Sequence, residues 1–267
     1  MKPICLFRYD TETDDADAMR GFLPKLVAVH REHRIPVTLF CTGRMLERRA
    51  DEFRDFAAEV RGDPLFEVQS HSYSHIGVGY ARGSSVEDLR TDYVRAFDIH
   101  EAVFGTRPVA VSICGTSGKD GPRLTGFDET EKSRQELDML AELGVRRINT
   151  FLSAHAEDRD FCDYAAVGHP EIAGFPSGFS DTDWMLDKTP DWKWRRREPF
   201  ADAVQAIIDE IRRRGAAGVH MPIMLHDWAA WTLTPDRELD HVKRFSEAAR
   251  AAGFDLVTHE SACSRKR

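Results

Sequence analysis

His71 and His75 stand four residues apart in His71-Ser72-Tyr73-Ser74-His75, directly after the strand-like run Leu65-Phe66-Glu67-Val68-Gln69. If the chain turns helically after the strand, both imidazoles point the same way. Neutral imidazoles at that spacing suit a divalent metal, zinc above all. A catalytic metal site usually adds a carboxylate and keeps a position open for water. Asp10-Thr11-Glu12-Thr13-Asp14-Asp15 follows the apolar run Ile4-Cys5-Leu6-Phe7. Two strand ends thus offer histidines and carboxylates, a combination that points to a metal hydrolase. In a chain with 11 histidines the spacing also arises by chance, so its company decides its weight.

The elements that must position these residues alternate between strand and helix. Strands are expected over 3–9, 36–41, 65–69, 109–113, 145–151, 218–225 and 254–258. Helices are expected over 16–33, 44–60, 85–104, 131–143, 199–214 and 236–252. Ser85-Val86-Glu87-Asp88 has the form of a capping box, and Gly105 ends the helix it opens. A Gly-rich polar loop spans 115–130, and 153–198 reads as irregular, rich in aromatic residues and aspartates. Repeated βα units predict a parallel sheet, open or closed into a barrel, with its active site at the C-terminal strand ends. Asp10, His71, Cys114 and His226 all fall at predicted strand ends.

Composition narrows the function classes. With 267 residues and 42% hydrophobic content, the expectation is one large domain over 1–267. Charged residues make up 31% and the net charge is −8, which argues against nucleic acid or an anionic membrane as the main partner. The basic runs Trp194-Arg195-Arg196-Arg197 and Ser264-Arg265-Lys266-Arg267 read as solvated faces or tails. Cys5, Cys41, Cys114, Cys162 and Cys263 are odd in number, widely spaced and read as reduced thiols. No apolar run reaches membrane-spanning length and the N-terminus does not read as a signal peptide, so the expected location is the cytoplasm.

The ordered motifs resemble those of the polysaccharide deacetylases, carbohydrate esterase family 4. The resemblance rests on Phe7-Arg8-Tyr9-Asp10-Thr11-Glu12, Val37-Thr38-Leu39-Phe40-Cys41-Thr42-Gly43, the histidine motif, and Met221-Pro222-Ile223-Met224-Leu225-His226. Asp181-Thr182-Asp183-Trp184 and Gly253-Phe254-Asp255-Leu256-Val257-Thr258 extend it, so it covers most of the chain. It implies a distorted (β/α)7 barrel, an α/β fold. It also implies hydrolysis of a C–N amide bond, most simply N-deacetylation of an amino sugar or glycan-related substrate. Two departures stand out. The family's adjacent aspartates become Asp10 and Glu12, with Asp14 as the rival for the ligand role. The arginine that follows the fourth strand in the family, where it orients the base, is absent from Ser112-Ile113-Cys114-Gly115-Thr116-Ser117-Gly118. Arg123 is the nearest loop candidate.

Carried onto this chain, the resemblance makes Asp10 the general base and His226 the general acid, with Asp183 orienting the imidazole. Glu12, His71 and His75 would hold a divalent metal: Zn2+, with Co2+, Ni2+, Mn2+ or Fe2+ as alternatives. Each has a plain structural counterpart: a turn cap for Asp10 and Asp183, an N-cap for Asp14 or Asp15, a core histidine for His226. Trp184, Trp228 and Tyr73 are candidate substrate-binding residues, although a tryptophan is more often core. His155, His169 and His220 read as structural or surface residues. Two other functions fit the same residues: hydrolysis of a small cyclic amide or an aminosugar-lipid formamide, and a catalytically weak carbohydrate-binding or regulatory domain. Oligomeric state is not legible.

Overall fold

The computed structural model describes residues 2–78, 84–114, 127, 131–149, 162–176, 178–191, 193–233 and 237–265. The chain runs β1 (Ile4–Thr11), α1 (Ala16–Glu32), β2 (Val37–Cys41), α2 (Gly43–Arg48), α3 (Ala50–Glu59), β3 (Phe66–Ser70), α4 (Val86–Phe104), β4 (Ala110–Ser112), α5 (Glu131–Glu142), β5 (Arg147–Asn149) and β6 (Cys162–Asp163). It continues through β7 (Ala173–Phe175), α6 (Asp181–Trp184), β8 (Leu186–Lys188), β9 (Trp194–Arg196), α7 (Phe200–Ala217), β10 (Met221–His226), α8 (Asp240–Ala251), β11 (Asp255–Val257) and α9 (His259–Ser264). The larger sheet has the order β10-β1-β2-β3-β4-β5-β7-β6, with β11 also paired to β1. All its pairings are parallel except β6 with β7. This is the expected α/β architecture. A parallel bridge between Ser180 and Met224 returns the segment beyond β7 to β10, at the opposite end of the strand order.

Strand β1 shows how sequence alternation builds the interior. It is buried along its whole length, as a central parallel strand should be. Cys5, Phe7 and Tyr9 join the main apolar cluster with residues of α1, α3, α7 and α8. Ile4 and Leu6 point to the other face, where they pack with Phe175, Val257, Ala262 and Cys263. Arg8 and Asp10 follow on that second face by the two-residue period. The inner face therefore changes from apolar to charged along the strand, and the charged end is the C-terminal one.

Two expectations needed revision. The single helix over 44–60 is broken into α2 and α3 at Arg49, whose φ of −119° and ψ of 33° leave the helical region. The irregular stretch 153–198 contains β7, a full member of the parallel sheet, and the separate hairpin β8–β9. At three residues each, these strands are too short to show a period. Asp15 caps α1 through the backbone amides of Asp17 and Ala18, and Ser85 with Asp88 forms the capping box on α4.

Candidate metal centre and active site

The charged end of β1 lies in register with the end of β10, so that Asp10 is the strand partner of His226. Both point to the inner face at the C-terminal mouth of the sheet. Asp10 and His226 are both buried. Glu12, just past β1, turns one carboxylate oxygen to the histidine motif: Oε1 is 3.2 Å from His71 Nε2 and 3.1 Å from His75 Nε2. Its other oxygen, Oε2, accepts a hydrogen bond from Trp228 Nε1 at 3.2 Å. Asp10 Oδ2 is 3.7 Å from His71 Nε2.

The histidines converge without the helical turn expected of them. Residues 71–78 carry no helix; Ser72 and His75 instead take left-handed backbone conformations, with φ of 60° and 63°. The loop's polar groups are satisfied from neighbouring elements. Asp92 of α4 accepts the backbone amides of Tyr73 at 2.6 Å and Ser74 at 3.1 Å. The amides of Gly43 and Arg44, opening α2, donate to the carbonyls of Ser72 and Tyr73. A left-handed residue costs free energy that such contacts must offset, and it aims each side chain where a regular helix would not.

His71 Nδ1 lies 2.9 Å from the Ser112 carbonyl, which only an N–H on that nitrogen can satisfy. The lone pair of a neutral ring is therefore on Nε2, facing the carboxylates. That nitrogen is buried and, among the described residues, receives no hydrogen bond of regular geometry, although Glu12 Oε1 lies 3.2 Å from it. Potential ligand atoms within 4.8 Å of one another form two triads that share His71: Asp10 with Glu12, and His75 with Cys114. Cys114 Sγ lies 3.9 Å from Nδ1, the protonated side, so the carboxylate side is where His71 can donate electrons. An orphaned buried nitrogen beside two carboxylates and a second imidazole fits a divalent cation. Electrostatics agree. Burial opposes the charge on Glu12, yet His71 and His75 outweigh it and hold the carboxyl well below its usual range. Burial likewise opposes a charged His71, but Asp10, Cys114 and Glu12 hold that imidazole well above its usual value. A proton on His71 occupies the electrostatic place that a metal cation would take.

Several sequence-predicted residues occupy other places. Asp14 is exposed and paired with Arg48, which leaves Glu12 as the carboxylate between the histidines. The carboxylate on His226 is Asp181, not Asp183. Asp181 Oδ1 meets His226 Nδ1 at 2.6 Å, and Oδ2 accepts the His226 backbone amide at 2.6 Å. Side chains two apart in a helical turn diverge, and the Ser180–Met224 bridge directs position 181 toward β10. Burial, the largest single influence, lowers His226, but Asp181 with Glu12 and Asp10 outweighs it and raises the imidazole to about 9. Trp184 packs on the main apolar cluster, its ring 5.6 Å from that of Phe179. Tyr73 donates its hydroxyl to Glu47 at 2.9 Å beneath the Arg95 guanidinium, so it serves the α2–α4 contact. Trp228 is at the site, its ring 5.0 Å from that of His226, but its indole N–H is committed to Glu12.

Two residues escaped the sequence reading. Arg8 is buried, donates from Nη1 to Asp10 Oδ1 at 3.0 Å, and also contacts Ser112 Oγ and Met224 Sδ. It brings a guanidinium to Asp10 from β1, where the fourth strand offered none; Arg123 lies outside the described residues. Burial pulls Arg8 down and the carboxylates of Asp10, Asp181 and Glu12 resist that pull. A lone arginine inside a buried strand, two positions before the candidate base, was the available signal. The other residue is Asp227, fully buried, which accepts the amides of Glu12 and Thr13, each at 3.0 Å. Burial raises it to about 7 against those hydrogen bonds. His220 accepts the Ile4 amide and His169 pairs with Asp138 and Glu171, so both are structural. His155 lies outside the described residues.

Residues 12–123 match the family model described as polysaccharide deacetylase. No curated protein matches the chain. Among solved structures, a polysaccharide-deacetylase-like protein from Mycobacterium smegmatis aligns with a TM-score of 0.67 at 17% identity, over 100% of this chain and 92% of that one. A family 4 acetyl xylan esterase from Clostridium thermocellum, in complex with a cobalt ion, aligns with a TM-score of 0.54 at 14% identity, over 98% and 91%. A family 4 pseudoenzyme from Bacillus anthracis aligns with a TM-score of 0.54 at 12% identity, over 98% and 66%.

Proposed function

From a chain that resembles the polysaccharide deacetylases in sequence over residues 12–123, and carbohydrate esterase family 4 in fold along its length, we propose a metal-dependent hydrolase of C–N amide bonds. Its most direct substrate class is an N-acetylated amino sugar or a glycan that carries one. The single observation that carries this reading is the placement of Glu12 Oε1 at 3.2 and 3.1 Å from two histidine nitrogens, with Asp10 and His226 in register beside it.

Glu12, His71 and His75 are the residues that would hold the cation, Zn2+ by its preference for this donor set. Bound there, a divalent cation supplies Lewis acidity that activates water and offsets the charge developing on an amide oxygen. Asp10 accepts the proton from the attacking water through its carboxylate. Arg8 fixes the orientation of that carboxylate from behind. His226 Nε2 delivers a proton to the leaving amine while Asp181 holds Nδ1. Without that proton the tetrahedral intermediate would return hydroxide rather than release the amine.

Against the catalytically weak alternative, the Arg8 guanidinium at Asp10 supplies a partner for the candidate base that the fourth strand lacks. The same reading takes 1–267 as one catalytic domain. A reducing, cytoplasmic setting is supported by the buried thiols of Cys5, Cys41, Cys114 and Cys263. Among the described residues no helix is long and apolar enough to cross a membrane. The test is acetate release from a panel of N-acetylated mono- and oligosaccharides by Zn2+-loaded and chelator-stripped protein. Metal-dependent turnover on any of them is expected. No turnover across acetylated sugars, cyclic amides and formamides would overturn the reading.

A further inference from the structure

The β1–β10 register ends at the pair Asp10–His226, and Glu12 and Trp228 each lie two residues beyond it. Two consecutive residues after the candidate acid then converge on Glu12. Asp227, fully buried, uses one oxygen for the Glu12 amide and the other for the Thr13 amide, each at 3.0 Å. Trp228 Nε1 holds Glu12 Oε2 at 3.2 Å. Oε1 is the oxygen that meets His71 and His75, at 3.2 and 3.1 Å.

We propose that Asp227 and Trp228 form a two-point clamp that makes Glu12 a one-oxygen ligand: Asp227 fixes the backbone that carries it, and Trp228 withdraws its second oxygen. The proposal rests on the metal reading of this site. A glutamate has one more rotatable bond than an aspartate, so a carboxylate at this position needs fixing that a shorter side chain would not. The consequence is chemical. A catalytic site needs positions left open for water and substrate oxygen, and a carboxylate that bound through both oxygens would fill one of them. Both clamp residues are positioning residues: each acts through Glu12.

The experiment is a Co2+ titration of chelator-stripped full-length protein, followed by visible d–d absorption, for wild type, Trp228→Phe and Asp227→Asn. Phenylalanine keeps the ring and removes only the donor. Asparagine keeps the shape but leaves one side-chain acceptor where two amides need one each. Trp228→Phe is expected to bind Co2+ with weaker and shifted absorption, because the freed Oε2 raises the coordination number. Asp227→Asn is expected to raise the Co2+ Kd by about 10- to 100-fold, the usual weight of groups that orient a ligand. Melting of the metal-free proteins separates these effects from general destabilisation, and Trp228→Phe decides alone if Asp227→Asn does not fold. Wild-type spectra and Kd in both variants would overturn the clamp. Failure of the wild type itself to bind Co2+ would overturn the metal reading from which the clamp follows.

Discussion

Arg8 Nη1 lies 3.0 Å from Asp10 Oδ1, and both side chains emerge from the same face of one buried strand. The pair is an ion pair with each side chain no more than 5% exposed. A buried pair of this kind is costly to break on one side only, since the survivor is left as an uncompensated charge. Asp10 is thereby held both as a charge and in orientation, by a residue two positions before it.

Replacing Arg8 with methionine should therefore cost about 3–5 kcal/mol of stability. It should also lower kcat/KM on an acetylated sugar by about 100-fold or more through loss of the fixed carboxylate. Arg8→Lys should recover part of the stability, because the charge remains but the fork that reaches several partners does not. Chemical denaturation with parallel kinetics checks both. Undiminished kcat/KM in Arg8→Met would show that Asp10 needs no guanidinium.

The His226–Asp181 pair is expected to set the alkaline side of the pH profile. His226 must be protonated to act as an acid, and with its pKa raised to about 9 it stays so through neutral pH. The alkaline limb of kcat/KM is expected between about 6.5 and about 9, because a cation bound beside Glu12 and Asp10 offsets their share of the shift. Asp181→Asn should move that limb to lower pH, since burial then acts without its main opponent. The stability sign follows from a folded value above the unfolded one: the pair's contribution is complete below about pH 6.5 and is lost as pH rises through about 9. Kinetics and denaturation across pH 5–10 measure both, and an unmoved limb in Asp181→Asn would remove His226 from the acid role.

Metal affinity should rise with pH. His71 is held above its usual value in the metal-free protein, so metal binding is expected to release a proton. Isothermal titration in buffers of different ionisation enthalpy should reveal that proton release, with affinity falling as pH drops from 8 to 6. His71→Ala and His75→Ala should each weaken binding by more than the roughly 10–100-fold of an outer residue. Full occupancy in the double variant would place the metal elsewhere.

A fourth prediction tests packing alone. A Cβ added at Gly21 in α1 would lie 2.3 Å from Cζ2 of Trp231, in the helical turn that follows β10. Helix propensity favours alanine over glycine by about 1 kcal/mol, but overpacking of this kind costs about 1–3 kcal/mol. Gly21→Ala should therefore be destabilising in a melting experiment despite the propensity gain. A raised Tm would mean that the indole has room to move.

The sequence by itself determined the alternation of strands and helices, the capped start of α4, and the positions of Asp10, His71 and His226 at strand ends. These signals are local: a periodicity, a capping pattern, a polar residue ending an apolar run. Only the tertiary structure decided which carboxylate serves which histidine. Glu12 and Asp14, like Asp181 and Asp183, are the same kind of residue two positions apart, and the choice depends on how a turn or a short helix meets its neighbour. Arg8 was legible only as an oddity in a buried strand until the inner face placed it beside Asp10. Tyr73, Trp184 and Trp228 were indistinguishable as aromatic residues, and packing assigned them to a helix contact, the core and the Glu12 carboxylate. Local chemistry names the candidates; long-range contacts select among them, because distances across a sheet are not written in spacing along a chain.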